Sequence, residues 1–274
     1  MTIASLYHQT LKTTRIDEAT LKALLSHIHH FSSNGDLFLH WNEEARDLDK
    51  FNLYLPRILL GEPLPYIVGL AYFAGLTFFV DESVLIPRPE TEELVDHVSD
   101  YIQTRKTKNL LDLGTGSGCI AISLKHRFPY LDVWASDISQ CALEVAHKNA
   151  LSYGMNLQFF SGDWYEPFKN QTIKFDVIVS NPPYIAHPET VAKNVLDYEP
   201  HGALFSSGGI SNHLIILQGA PNFLSPRGLL MLEIDENQMA MLSPIVHSLY
   251  EGAKIDFIKD LQGKYRFLRI ELTA

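Results

Sequence analysis

Two short segments of this 274-residue chain hold residue types whose chemistry depends on their spacing. The first is Asp112-Leu113-Gly114-Thr115-Gly116-Ser117-Gly118, which follows the apolar Asn109–Leu111. A glycine turn between a strand and a helix offers bare backbone N–H groups at the positive end of the helix dipole. A dinucleotide fingerprint, GxGxxG, would need its third glycine where Cys119 stands; the spacing here is GxGxG. The Asp112 carboxylate repels a pyrophosphate and suits a ligand that brings a cation. S-adenosylmethionine fits that description, with an ammonium, a sulfonium and a carboxylate but no phosphate. An acidic residue is then required at the end of the next strand to hold ribose hydroxyls. Asp137 meets this at the end of DVWASD, and Gly162-Asp163-Trp164 closes the following strand with an aromatic plane suited to adenine.

The second segment is Asn181-Pro182-Pro183-Tyr184, at the end of the strand-like FDVIVS. In open α/β sheets ligands lie beyond the carboxyl ends of strands, so this corner should share the first site. A planar NH₂ conjugated to a carbonyl or a base ring is a poor nucleophile. The side-chain oxygen of Asn181 and the carbonyl of Pro182 can each accept one of its N–H groups, and Tyr184 can stack on its plane. Neither proline has an N–H to compete, and their fixed φ holds the acceptors still. Two acceptors raise electron density on the nitrogen and aim it at a methyl group. Orientation of this kind can contribute up to about 7–11 kcal/mol. The proton then leaves to water, so no histidine base is required.

The elements that must position these segments follow from periodicity. Up to about Gly61 the pattern is helical. Asp17 is predicted to cap a helix whose Leu21, Leu24, Leu25 and Ile28 share one face. Asn42 is predicted to cap another, carrying Leu48, Phe51 and Leu55, which Pro56 should end or kink. Residues 1–70 therefore read as a small helical domain, 71–88 as a hairpin-like connector, and 89–274 as the domain that bears both segments. From about Glu90 strands and helices alternate, through strands at 109–113, 132–136, 157–160, 175–180 and 228–234. That alternation predicts an α/β fold with a parallel sheet covered on both faces. Ile255–Lys259 and Tyr265–Leu272 read as a closing hairpin, which places an antiparallel strand at the sheet edge.

Composition sets outer limits. Lys and Arg number 22 against 32 Asp and Glu, a net charge of −10, which argues against a large or stable nucleic-acid footprint. Cys119 and Cys141 have no CxxC spacing and read as reduced thiols. The uncharged run from Pro63 to Val80 is interrupted by two prolines and two glycines, and its β-branched and aromatic residues suit buried strands. The N-terminal residues lack the pattern of a secretory signal. The expectation is a soluble, cytoplasmic protein that does not enter membranes. His27, His29 and His30 crowd one helix without a shared face or carboxylate spacing, so no metal site is expected.

Over roughly residues 60–274 the chain resembles the bacterial protein-(glutamine-N5) methyltransferases that modify peptide chain release factors. The resemblance is carried by Gly61-Glu62-Pro63-Leu64-Pro65-Tyr66-Ile67, by Pro87-Arg88-Pro89-Glu90-Thr91-Glu92, and by the glycine turn. Asp137-Ile138-Ser139, Asn181–Tyr184, and Lys259-Asp260 with Gly263 and Arg266 complete it. It implies a seven-stranded, Rossmann-like methyltransferase sheet with an antiparallel edge strand, behind an N-terminal helical domain that helps dock the release factor. It also implies that Gly114, Thr115, Gly116, Ser117, Gly118, Asp137, Trp164 and Asn181 contact S-adenosylmethionine, with S-adenosylhomocysteine as product. Asn181, Pro182, Pro183 and Tyr184 would hold the glutamine of a Gly-Gly-Gln loop. Adenine-N6 and guanine-N2 methyltransferases also use Asn-Pro-Pro-Tyr, so a nucleic-acid amino group is the competing substrate, as is a ribosomal-protein glutamine. A non-catalytic adaptor is a further alternative. The chain departs from the family at Tyr72-Phe73, Tyr198-Glu199-Pro200 and Ser206-Ser207-Gly208-Gly209.

Overall fold

The computed structural model describes residues 1–273 and divides into two compact units. The first comprises residues 1–69 and a short later helix. Its elements are α1 (Ile3–Thr13), α2 (Glu18–His29), α3 (Asn34–Leu39), α4 (Leu48–Leu59) and α5 (Leu64–Val68). Asp17 caps α2 as predicted, accepting the Thr20 N–H at 2.9 Å. The predicted apolar face of α2 is buried in one cluster with Ile3, Leu6, Leu37 and Phe51. The cap of α4 is Asp47 in place of Asn42, because residues 43–45 are paired with the N-terminal residues through an isolated bridge between Thr2 and Glu44. There Ile3 N–H donates to the Glu43 carbonyl and Ala45 N–H to that of Met1. Pro56 neither ends nor breaks α4. It lies in the last turn, where the Leu60 N–H still reaches the Pro56 carbonyl at 3.1 Å.

The second unit opens with a hairpin of β1 (Leu70–Phe73) and β2 (Leu76–Phe79). Ala74 and Gly75 both take positive φ at its turn, the geometry that matches strand twist. The uncharged run at 63–80 is thus a short helix followed by this hairpin. Among the described residues no helix is long and apolar enough to cross a membrane. Then come α6 (Pro89–Thr104), β3 (Asn109–Leu113), α7 (Cys119–Arg127), β4 (Asp132–Asp137), α8 (Gln140–Ser152), β5 (Gln158–Ser161) and β6 (Phe175–Ser180). Helix α9 (Lys193–Tyr198) groups with the first unit. The chain continues with α10 (His201–Leu204), α11 (Ser211–Gly219), β7 (Leu224–Glu233), α12 (Met239–Leu249), β8 (Lys254–Lys259) and β9 (Tyr265–Glu271).

Seven strands form one sheet in the order β5-β4-β3-β6-β7-β9-β8. The first five are parallel, and β9 lies antiparallel to both β7 and β8. The antiparallel pairing therefore falls at one edge. Side chains alternate across the sheet, as strand geometry requires. Leu110, Val177, Val179 and Met231 face one core with Leu94, Val98 and Ile120. Leu111, Leu113, Ile178 and Leu230 face the other, with Ile216, Leu242 and Val246. Both faces are covered, which explains the near-continuous apolar strands.

Phe267 is fully buried in the first of these cores, its ring 5.3 Å from that of His97 on α6. Replacing it with alanine should destabilise the protein by about 3–5 kcal/mol, read as a lowered midpoint in urea unfolding.

Candidate active site

The carboxyl ends of β3, β4, β5 and β6 bound a cavity of about 550 Å³, within the range of small-molecule sites. Its walls include Gly114, Thr115, Gly116, Ser117, Asp137, Trp164, Asn181 and Pro183, all named from the sequence. Gly118, Pro182 and Tyr184 stand outside the lining. Gly118 is the residue on which α7 starts, at φ +81. A Cβ there would lie 2.9 Å from Ile122 Cδ1 and 3.2 Å from Ala146 Cβ, so glycine serves helix packing at this position.

The turn is braced from behind. Asp112 is fully buried and does not reach the cavity; its Oδ2 accepts the Thr115 hydroxyl at 2.7 Å. The sequence reading gave it a ligand-facing role, whereas the structure shows it holding the turn. Strand alternation accounts for this, since Asp112 shares the sheet face of Leu110, opposite to that of Leu111 and Leu113. Burial pushes its carboxyl up to about 7. Asp137 ends β4 and does face the cavity. Its Oδ2 accepts the Gly116 N–H and its Oδ1 the Ser139 N–H, each at 2.9 Å. Each oxygen keeps a lone pair for a further donor. Burial raises this carboxyl too, opposed by the backbone N–H groups of Ser139, Gly116 and Ile138.

Trp164 sits at φ +45, a left-handed conformation that costs a non-glycine residue of order 1–3 kcal/mol. The turn after β5 thereby brings the indole close to Gly114, where a Cβ would lie 3.6 Å from the ring.

At the fourth strand end, Ser180 Oγ donates to the Leu113 carbonyl at 2.6 Å and ties β6 to β3. Asn181 Nδ2 donates to Thr91 Oγ1 at 3.1 Å. Asn212 Nδ2 donates to the Pro183 carbonyl at 3.0 Å and holds the Asn-Pro-Pro-Tyr corner from α11. Tyr184 is pushed up to about 12 by burial and stays neutral. His213 is fully buried and lowered to about 4 by desolvation, so it too is neutral near pH 7. The segment after the corner is anchored by Glu199. This buried carboxylate pairs with Arg88 at 2.6 Å and accepts the Ile86 N–H at 3.3 Å.

Sequence reasoning left Arg88 unassigned and did not single out Thr91, Asn212 or Glu199 as parts of the site. Thr91 lay within a quoted motif, but the partners of all four are 29 to 142 residues away in the chain. Among the described residues no cluster of His, Cys, Asp or Glu is placed to hold a metal ion.

Residues 91–210 match the methyltransferase small domain family. The chain is 41% identical over 238 residues to the release factor glutamine methyltransferase of Staphylococcus aureus, with 85% of each chain covered. It is 36% identical over 227 residues to the release factor glutamine methyltransferase of Bacillus subtilis, covering 80% of this chain and 79% of that one. Among solved structures it is similar to the T. thermophilus 16S rRNA N2 G1207 methyltransferase in complex with AdoMet and guanosine. That match has a TM-score of 0.56 at 17% identity and covers 74% of this chain and 49% of that one, a likeness of fold.

The raised Asp112 carboxyl has a consequence for stability. Between its ordinary value of 3.8 and about 7 the folded form holds more proton than the unfolded form. Its contribution to stability therefore falls as pH rises through that window. Asp112→Asn should lack this fall, so its melting temperature relative to the unsubstituted protein should improve between pH 5 and pH 7.5.

Proposed function

The chain belongs to the release factor glutamine methyltransferase family, and we propose that it transfers a methyl group from S-adenosylmethionine to the side-chain amide nitrogen of the glutamine in the Gly-Gly-Gln motif of peptide chain release factors. The observation that carries this reading is Asn181 at the cavity wall. Its NH₂ is engaged by Thr91, which leaves its oxygen as the free end of the amide.

The site fits the donor. Gly114–Ser117 form a cradle of backbone at the N-terminus of α7, and the two Asp137 oxygens keep lone pairs for ribose hydroxyls. The Trp164 ring supplies an apolar plane for adenine. When bound, the donor supplies a methyl carbon made electrophilic by its sulfonium.

The remaining work falls to this chain's residues. Asn181 Oδ1 and the Pro182 carbonyl accept the two N–H groups of the glutamine amide. The Pro183 carbonyl is engaged by Asn212, which holds the corner that carries both acceptors in place. Tyr184 braces and stacks on the planar amide, and its raised phenol excludes it as a base at neutral pH. The neutral, enclosed His213 is equally unsuited. The amide proton leaves to water once the nitrogen has taken the methyl. The acceptors convert a delocalised nitrogen into an oriented nucleophile, a positioning effect rather than acid–base catalysis.

Protein incubated with radiolabelled S-adenosylmethionine and a release factor should label the Gly-Gly-Gln peptide, located by mass spectrometry. Label in DNA or RNA with none in that peptide would reject the assignment. Asn181→Ala should lower turnover by at least about 100-fold, comparable to losing an oriented catalytic hydrogen bond, while donor affinity by calorimetry stays within a few-fold.

A further inference from the structure

Behind Asn181 the contact with Thr91 continues into a polar chain that takes no direct part in the proposed reaction. Thr91 stands in the first turn of α6 and Glu233 is the last residue of β7; both are only 2% exposed. Thr91 Oγ1 donates to Glu233 Oε2 at 2.7 Å and accepts from Asn181 Nδ2 at 3.1 Å. We propose that Thr91 and Glu233 are positioning residues that fix the Asn181 amide with its oxygen toward the acceptor nitrogen of the substrate. This rests on the reading of Asn181 as a hydrogen-bond acceptor.

The two ends of a carboxamide are nearly equal in shape and opposite in chemistry. If Asn181 flipped, its NH₂ would meet the substrate NH₂, donor against donor, and the nitrogen would be pushed away. Shape alone does not prevent the flip. The relay does, because a hydroxyl has one proton. An ionised Glu233 only accepts, so the Thr91 proton is committed to it, and Thr91 offers Asn181 only a lone pair. The NH₂ end is then satisfied facing Thr91, and the flipped amide would set two acceptors against each other in a buried place. A protonated Glu233 removes this constraint. It can donate to Thr91, whose own proton then turns to Asn181 Oδ1 and stabilises the wrong orientation.

The surroundings make this a device that titrates. Desolvation pushes Glu233 up to about 7. Facing it are Thr91, Arg88 and Glu90 from the start of α6, Arg266 from β9, Tyr184 from the corner and Cys119 from α7. His213 Nε2 of α11 lies 2.9 Å from the Glu233 backbone oxygen. Arg88 and Arg266 favour the ionised form, Glu90 and burial the neutral one. Arg88 is shared with Glu199 and Arg266 with Asp260, so neither cation is committed to Glu233.

The test compares kcat, KM for release factor and donor affinity for Thr91→Val, Thr91→Ser, Glu233→Gln and Asn181→Ala across pH 5.5–9. Thr91→Val should lower kcat by about 10- to 100-fold, the cost of one mispaired buried group, with donor affinity within twofold. Thr91→Ser should recover most of that loss. The unsubstituted enzyme should lose kcat as pH falls through about 7. Glu233→Gln, which cannot titrate, should lack that limb, and this readout decides the matter if valine disturbs α6. Adding Thr91→Val to Asn181→Ala should change kcat no further. A Thr91→Val enzyme at full kcat, beside a crippled Asn181→Ala, overturns the relay and leaves Asn181 as acceptor. A fully active Asn181→Ala overturns the underlying reading as well.

Discussion

A seam of hydrogen bonds beyond the regular ladder joins the carboxyl ends of four strands, and the whole site hangs from it. Gly114 and Thr115 N–H groups donate to the Ser136 carbonyl at 2.9 and 3.0 Å, and Gly162 N–H donates to the Asp137 carbonyl at 3.0 Å. Ser180 Oγ closes the other side on Leu113 at 2.6 Å. Each bond holds a loop close to the strand beside it just where the pleat stops. Gly116, Asp137, Trp164 and Asn181 are thereby presented at one level by four different segments. A one-residue slip in any pairing would turn its site residue to the opposite face. Sites of this kind tolerate errors of only about 0.5 Å.

Two fully enclosed carboxyls share one construction. Asp112 is held by the hydroxyl of Thr115 and Glu233 by that of Thr91, each at 2.7 Å. In both, desolvation raises the acid and a threonine hydroxyl is the foremost group opposing it, aided by the Ala121 backbone at Asp112 and by Arg266 and Arg88 at Glu233. Such groups weaken the fold when ionised and are retained where they order something else. One orders the glycine turn, the other the carboxamide at the mouth of β6.

What was legible in the sequence tracks the range of the forces involved. The glycine turn, Asp137 and the Asn-Pro-Pro-Tyr corner are local signals, and the cavity gathers most of them. Strands β3 and β6 ended where the apolar runs ended. Helix α12 went unread because Pro244 interrupts its pattern, although the helix runs through it. The cap of α4 was misplaced because pairing with the N-terminus overrode local propensity. Asp112 was misassigned to the ligand because strand alternation decides where its carboxyl points. Thr91, Glu233, Glu199 and Asn212 were illegible as site residues for a plainer reason: each acts through a partner that only the fold brings near.

The non-sequential strand order also dictates when the protein becomes competent during its own synthesis. The contact of Gly116 with Asp137 spans 21 residues, whereas Ser180 reaches Leu113 across 67 and Thr91 reaches Glu233 across 142. Pairings of low sequence separation form readily, and distant ones wait on costly loop closure. In a nascent chain the glycine turn can thus meet Asp137 early, once β3 and β4 are made. The acceptor corner is locked only after β7 has been made and docked. The order of synthesis therefore assembles the site from its glycine turn outward, and the corner at β6 is the last part to be fixed.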